Sequence, residues 1–234
     1  MFNLKQRSDQ KELLDNDTIP FDDIKQNMKE LNTINNWLGG HAITITGLKK
    51  VLSKHRLTQI SICEIGCGGG DNMIALNNWC KQNKLNTNFT GIDIKPTCID
   101  FAKQQAASLQ ANWICNDYQN VEFGNNKPDI VFASLFCHHF SDDALLHILK
   151  WMKENSTIGF FINDLHRHPL AYHSIKIITS ALSKSYLVKN DAPLSVARGF
   201  KKIEWQQLLN NAGITNYDVS WQWAFRHLIV YKHE

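Results

Sequence analysis

Glycines and histidines in this chain follow the ends of predicted strands, where they could bind a ligand and move a proton. Four glycines, Gly66 and Gly68–Gly70, fall within five positions. They stand between an alternating apolar run, Gln59–Ile65, and a helical pattern that starts near Met73. Only glycine turns sharply at positive φ without strain, and only glycine lets a ligand touch the backbone. The loop therefore predicts a nucleotide-type ligand at the carboxyl end of a first parallel strand.

The spacing of this loop narrows the class of ligand. A dinucleotide loop of the form Gly-x-Gly-x-x-Gly would need glycine where Asp71 stands, and the third glycine comes one place early, at Gly70. A phosphate loop would need Gly-Lys-Ser or Gly-Lys-Thr, which this stretch lacks. An acid, Glu64, instead precedes Gly66 by two positions. A carboxylate there suits cationic groups on a ligand, and the free N–H groups of the next helix suit a carboxylate on it.

Polar residues also end the next two predicted strands. Asp93 ends the strand 86–93, where an acid can accept hydrogen bonds from both hydroxyls of a ribose. After the following strand, Asp117 or Asn116 could accept from an adenine amino group, with Tyr118 or Trp113 stacked nearby. The alternative is ordinary capping and turn formation, for which Asp and Asn are also used.

Two adjacent histidines, His138 and His139, follow the most apolar predicted strand, Asp129–Phe136. A strand of that composition should be central and buried on both faces. The ligand crevice of an open α/β sheet lies beyond the carboxyl ends of its strands, so the pair should face the reacting group. We expect one histidine to touch the substrate and the other to pack or cap.

The segment His166–His173 concentrates three histidines with Arg167 and Tyr172 after another predicted strand. It lacks the His-Glu-x-x-His spacing of metalloproteases and has no cysteine nearby. We predict no metal site here, and expect hydrogen-bonding and charge roles for His166 and Arg167.

The rest of the chain supplies the scaffold. Residues 1 to about 20 read as an irregular arm on the surface, followed by an amphipathic helix from Phe21 to Leu38 and a second helix from His41 to about His55. These helices either cover the sheet or form a lid. We predict an N-terminal arm and cap over 1–56 and a catalytic domain over 57–234. Within that domain, about 166–200 forms a substrate-side insertion, with a long connection over 191–200.

Composition excludes several classes of protein. The chain has 234 residues, of which 43% are hydrophobic, enough for one large α/β domain. Its formal net charge is only +3 and its basic residues are dispersed, which argues against nucleic acid as a partner. The six cysteines are scattered, and neither a signal sequence nor a membrane-spanning run is seen. We therefore expect a cytoplasmic protein, with no indication of its oligomeric state.

From about residue 57 onward these motifs together resemble the class I S-adenosylmethionine (SAM)-dependent methyltransferases. The resemblance implies a Rossmann-like, doubly wound α/β fold with a mostly parallel seven-stranded sheet and an antiparallel last strand. It also implies SAM as the cofactor and S-adenosylhomocysteine (SAH) as its product. The implied cofactor contacts are Glu64, Gly66, Cys67, Gly68, Gly70, Asp93, Ile94, Asn116, Asp117, Tyr118 and Ser134.

Four shorter blocks, 37–40, 134–140, 164–172 and 191–200, are similar to a bacterial small-molecule branch. That branch includes quinone-biosynthesis methyltransferases and enzymes associated with type III polyketide synthases. It implies O-methylation of a phenolic, quinol or polyketide-type acceptor. A phenol needs a base near neutral pH, and histidine suits that task. We expect His139 to act as the base, with His138 and His166 as the next candidates. Arg167 would stabilise an anionic acceptor. A non-catalytic SAM-binding protein and an NAD-dependent oxidoreductase are the alternatives.

Overall fold

The protein, described here from a computed structural model that covers residues 4–16 and 18–234, is built on one sheet. Within those residues the sheet has seven strands: β1 Gln59–Ile65, β2 Asn86–Asp93, β3 Ala111–Cys115, β4 Ile130–Ser134, β5 Gly159–Leu165, β6 Tyr217–Gln222 and β7 Arg226–Lys232. Their order across the sheet is β3-β2-β1-β4-β5-β7-β6. β1 to β5 are mutually parallel, and β7 runs antiparallel to both of its neighbours. The predicted fold class is confirmed.

Helices cover both faces of the sheet. They are α1 Phe21–Trp37, α2 Gly40–Val51, α3 Asp71–Gln82, α4 Pro96–Gln105, α5 Asp142–Glu154, α6 Pro169–Leu182, α7 Tyr186–Arg198 and α8 Lys202–Asn211. Apolar side chains of α2, α3 and α4 fill the core on one face, and those of α5 and α8 fill the core on the other. All five residues of β4 are buried, as expected for a strand covered on both sides.

The strand order reverses at β1, which pairs with β2 on one side and with β4 on the other. In open α/β sheets such a reversal opens a crevice beyond the carboxyl ends of the strands. The glycine loop that follows β1 and the histidine pair that follows β4 both lie at this edge of the sheet.

The two N-terminal helices do different things. α2 packs directly on β5 and β7, so it covers the sheet. α1 packs against α2, α4 and α7, and so lies across the crevice. The predicted division at residue 56 stays a prediction.

The sequence predicted a long connection over 191–200. This prediction is wrong, because α7 continues through that stretch to Arg198. Ser185 starts this helix by accepting a hydrogen bond from the backbone N–H of Val188, and the helix tolerates Pro193 in its interior. Its buried apolar side chains outweigh the weak helix propensity of that stretch. These side chains are Leu187, Val188, Leu194, Val196 and Ala197.

None of the helices in the described ranges, 4–16 and 18–234, combines the length and the apolar character needed to cross a bilayer.

Candidate active site

The glycine loop is shaped by its own backbone. Gly66 and Gly68 have φ of +65° and +50°, in the left-handed region that side chains rarely adopt. A Cβ on Gly66 would lie 2.1 Å from the ring of Phe136, so this position is closed to any side chain. A Cβ on Gly68 would meet only Met28 Cε, at 3.5 Å, because Gly68 borders a cavity. The loop therefore leaves room for a ligand against its backbone.

Asp93 lies beside this loop at the end of β2. Its Oδ2 accepts a hydrogen bond from the N–H of Gly68 at 2.9 Å, and its Oδ1 accepts from the N–H of Lys95 at 2.9 Å. Burial raises the pKa of Asp93, and these two donors, with the charges of Lys95 and His139, limit the rise. Each carboxylate oxygen keeps a free lone pair toward the cavity, so Asp93 can still accept from a ribose.

The segment after β3 borders the same cavity. Asp117 Oδ1 accepts from the N–H of Gln119 at 3.0 Å, which caps a 3-10 turn, and its second oxygen is left for a ligand. Asn116 Oδ1 accepts from the N–H of Asp117 at 2.9 Å. Tyr118 is buried with its ring edge-on to Phe136. Helix capping thus occupies one oxygen of Asp117, and the other oxygen can still contact an adenine.

His138 and His139 lie side by side after β4, with ring centroids 4.4 Å apart, but in different surroundings. His138 is 3% exposed, and its Nδ1 lies 2.8 Å from Oδ1 of Asp164 at the end of β5. The side chain of His139 is 25% exposed and borders the cavity. Both histidines border the cavity, His138 as a buried residue and His139 as a partly exposed one, and which of them touches a substrate stays a prediction.

The N-terminal arm reaches this pair, contrary to the expectation that it lies on the surface. Glu12 is only 5% exposed, and its Oε1 lies 3.5 Å from His138 Nε2 while its Oε2 lies 3.8 Å from His139 Nε2. Asp15 Oδ1 lies 3.3 Å from His139 Nδ1. Ser195 of α7 donates its hydroxyl to Glu12 Oε1 at 2.6 Å, which holds the carboxylate in place. The arm therefore closes one side of the cavity.

These contacts set the charges of the cluster. Burial alone would lower the pKa of His138, but the charges and hydrogen bonds of Asp164 and Glu12 outweigh it and raise that pKa to about 9. Burial opposes ionisation of Asp164 and Glu12, yet the neighbouring histidines hold both carboxyl pKa values below their ordinary range. At neutral pH His138 is accordingly a cation between two carboxylates.

Glu12, His138 and His139 are also the one group in the described part of the chain that could hold a metal ion. One ligand atom from each residue lies within 4.8 Å of the others. Asp164 would orient His138 from behind, as carboxylates do for metal-bound histidines. The ion pairs already present satisfy the same atoms without a metal, and the predicted absence of a metal stays a prediction.

The geometry does not support the acceptor contacts expected of Arg167 and His166, since neither side chain borders the cavity. The Arg167 guanidinium is buried against Glu204 of α8 and donates to the carbonyl oxygen of Gly199. His166 packs against the ring of His227, with centroids 4.6 Å apart. The chain turns away from the cavity after β5, so a position following the strand does not face the ligand.

Glu64 is likewise buried behind the loop and does not border the cavity. Its Oε1 accepts from the side-chain amide of Asn72 at 3.0 Å, and burial raises its pKa well above the ordinary value. Direct contact with a cationic ligand is therefore not supported. Gly70 also lies outside the cavity, whereas the remaining predicted cofactor residues border it. These are Gly66, Cys67, Gly68, Asp93, Ile94, Asn116, Asp117, Tyr118 and Ser134.

Several cavity residues escaped the sequence analysis. Glu12 and Asp15 lie in an arm without periodicity, Asn27 lies in a mostly polar stretch, and Arg226 begins an apolar strand, so no local pattern marks them. Asp164 did carry a signal, because it is an acid at the end of a predicted strand, as Asp93 is.

The lining and the size of the cavity fit SAM. The backbone at Gly68 is open toward the cavity, and Asp93 can accept hydrogen bonds there. Asn27 of α1 borders the cavity with both amide atoms buried and without a partner among the described residues. The cavity has a volume of about 630 Å³, within the range of roughly 300–1,000 Å³ usual for small-ligand sites.

Comparisons with known proteins agree with this geometry. Residues 62–159 match a family model described as a methyltransferase domain. The fold is similar to that of the plantazolicin methyltransferase BpumL in complex with SAH, with 18% identity, 90% of each chain covered and a TM-score of 0.67. It is also similar to magnesium protoporphyrin IX methyltransferase (ChlM) from Synechocystis PCC 6803 with bound SAH, with 14% identity, 84% of each chain covered and a TM-score of 0.56.

A third solved structure, a putative O-methyltransferase from Nostoc punctiforme PCC 73102, is 16% identical. The match covers 79% of this chain and 55% of that one, with a TM-score of 0.55. No curated protein sequence gives a significant match. The match over 62–159, together with the glycine loop and the strand order, identifies a methyltransferase domain in this chain, and its fold is the one found in the SAH-bound methyltransferases above.

Proposed function

We propose that this enzyme transfers the methyl group of SAM to an oxygen of a small phenolic, quinol or polyketide-type acceptor, with His139 as the general base. The observation that carries the proposal is a single cavity. It extends from the glycine loop and Asp93 to the accessible imidazole of His139. Cofactor and base thus border one space, as an in-line methyl transfer requires.

The shape and lining of the cavity favour a small apolar acceptor. Apolar side chains of α1, α6 and α7 form most of the wall opposite the glycine loop. They include Ile24, Met28, Leu31, Ile175, Ile178 and Val196. We assign the predicted insertion over about 166–200, which contains α6 and α7, to acceptor binding. A wall of this kind suits an aromatic or polyketide skeleton.

The charge on His138 indicates which histidine can act as the base. SAM supplies a methyl group already activated on a sulfonium, so the chain has to align the acceptor and take up its proton. His138 is already protonated at neutral pH and cannot serve as a base. His139 accepts the phenolic proton as the oxygen gains the methyl group, and Glu12 and Asp15 stabilise the imidazolium that forms. The sulfur leaves as the neutral thioether of SAH.

The structural neighbours support a small-molecule acceptor. Two of them are the methyltransferases of plantazolicin and of magnesium protoporphyrin IX, and BpumL is also known in complex with desmethylPZN analogues. These neighbours are only 18% and 14% identical to this chain, so the proposed acceptor class rests on the cavity. The expected cytoplasmic location stays a prediction.

The decisive experiment is incubation of the purified protein with isotope-labelled SAM and a panel of phenols, quinols and aromatic polyketides, followed by mass spectrometry. We expect a gain of one methyl on a hydroxyl oxygen of at least one compound. Transfer to a nitrogen or carbon atom only, or to protein or RNA only, would overturn the acceptor class. SAH binding without turnover across the panel would favour a non-catalytic SAM-binding protein instead.

A further inference from the structure

Arg226 is a buried cation of the cavity that the proposed chemistry does not use. It begins β7 and pairs in register with Leu165 at the end of β5, and both residues border the cavity. Its side chain is 3% exposed. Because β7 is antiparallel to β5, its first residue lies at the same edge of the sheet as the carboxyl ends of the parallel strands.

Within the described residues the guanidinium makes one hydrogen bond, through Nη2, and its Nη1 is left without a partner. Nη2 donates to Oδ1 of Asn35, near the end of α1, at 2.9 Å. Nη1 is buried with no hydrogen-bond partner among residues 4–16 and 18–234. Gly40 leaves room for the Asn35 amide, because a Cβ there would overlap it. Asn35 thus positions the guanidinium, and Nη1 remains a free hydrogen-bond donor.

No carboxylate compensates this charge directly. Within the described residues no Asp or Glu oxygen lies within 4.0 Å of Arg226. Asp164 and Asp71 act on it from a greater distance, and burial lowers its pKa only to about 10, so it stays charged at neutral pH. Buried charges in folded proteins are almost always paired, because leaving one unpaired is costly. A ligand that enters the cavity would supply the missing anion.

We propose that Arg226, positioned by Asn35, forms a carboxylate-binding subsite of the cavity, with Nη1 donating to a carboxylate oxygen of a bound ligand. A guanidinium donates in a fixed fork that matches a carboxylate. Two ligands could carry this group, namely the methionyl end of SAM and an acidic acceptor. The second source rests on the proposed function, whereas the first needs only cofactor binding.

Calorimetric titrations of SAH and 5′-methylthioadenosine separate the two sources. The second compound lacks the amino-acid portion and therefore the carboxylate. Both are titrated into the wild type, Arg226→Met, Arg226→Lys and the control Arg56→Met, which changes an exposed arginine outside the cavity. If the cofactor supplies the carboxylate, Arg226→Met weakens SAH binding roughly 10- to 100-fold and leaves 5′-methylthioadenosine binding unchanged.

If the acceptor supplies it, SAH binding is unchanged in Arg226→Met. The SAH-saturated wild type then binds 4-hydroxybenzoate or salicylate more tightly than phenol, and Arg226→Met loses that preference. Circular dichroism checks that each variant folds. Should Arg226→Met fail to fold, Arg226→Lys is read in its place, because it keeps the charge but loses the fork and should show a partial loss.

The proposal is overturned if neither SAH nor a carboxylate probe distinguishes the Arg226 variants from the wild type. This outcome is independent of turnover. A protein that binds SAH through Arg226 but methylates no phenol would contradict the proposed function alone. Normal methylation with unchanged binding in Arg226→Met would contradict the subsite alone.

Discussion

Glu12 Oε1 lies 3.5 Å from Nε2 of His138, which brings the N-terminal arm into the histidine cluster after β4. The arm is held there by further contacts. Arg7 donates to the carbonyl oxygens of Phe140 and Arg198, and Lys95 donates to that of Leu14. Cofactor loop, histidine pair and arm therefore form one connected site, although they are far apart in sequence.

His139→Gln should abolish most of the activity without affecting cofactor binding. Removing a general base typically lowers kcat by roughly 100- to 10,000-fold. The measurement is steady-state kinetics with an acceptor found in the labelled-SAM assay, alongside SAH titration. His147→Gln is the matched control, because His147 is exposed on α5. An unchanged kcat in His139→Gln would assign the base elsewhere.

Gly68→Ala should impair cofactor binding, whereas Gly124→Ala should not. The two glycines have nearly equal φ, +50° and +52°, so the new side chain costs each variant about 1–2 kcal/mol of backbone strain. Only Gly68 borders the cavity, so only there does the added Cβ enter it, whereas at Gly124 the Cβ meets nothing within 4 Å. Thermal unfolding with and without SAH is the measurement. Equal stabilisation by SAH in both variants would contradict the assigned cofactor position.

The stability of the protein should fall at alkaline pH through His138. Its pKa is raised from 6.5 to about 9, so its contribution is fully present below pH 6.5 and is lost as pH rises through 9. The contribution is at most about 3 kcal/mol. Denaturant unfolding between pH 6.5 and 9.5 measures it in the wild type and in His138→Asn.

Two other effects must be separated from this one. Burial raises the pKa of thiols such as Cys137, which also destabilises the folded state at high pH, so the difference between wild type and His138→Asn is the relevant quantity. At acid pH the dependence has the opposite sign, because stability there falls as pH falls. The lowered pKa values of Glu12 and Asp164 give stability that is present above about pH 4.5 and is lost as pH falls. Parallel alkaline curves for the two proteins would refute the role of His138.

Arg167→Leu should destabilise the protein without changing its kinetics. The substitution removes the ion pair with Glu204 and the hydrogen bond to Gly199, at a cost of roughly 3 kcal/mol. Denaturant unfolding measures the loss, and kcat and KM are compared at a temperature where both proteins are folded. A raised KM for the acceptor with unchanged stability would restore the role expected from the sequence.

The sequence predicted the fold and the cofactor loop well because both depend on local patterns. Alternating apolar residues, the glycines between β1 and α3 and the acid Asp93 each carry their information within a few positions. The position of a residue directly after a strand predicted less well which side chains border the acceptor end of the cavity. Arg167 follows β5 just as His139 follows β4, yet its side chain is directed to Glu204.

The sequence by itself determined the class of fold and the places of the glycine loop and the histidine pair after their strands, since strand and helix periodicity and loop chemistry are local properties. Tertiary structure alone decided which histidine is a buried cation and which is partly exposed in the cavity. It also brought Glu12 to that pair and Arg226 to Asn35. Burial and long-range ion pairing set these charges, and both depend on segments that meet only when the chain has folded.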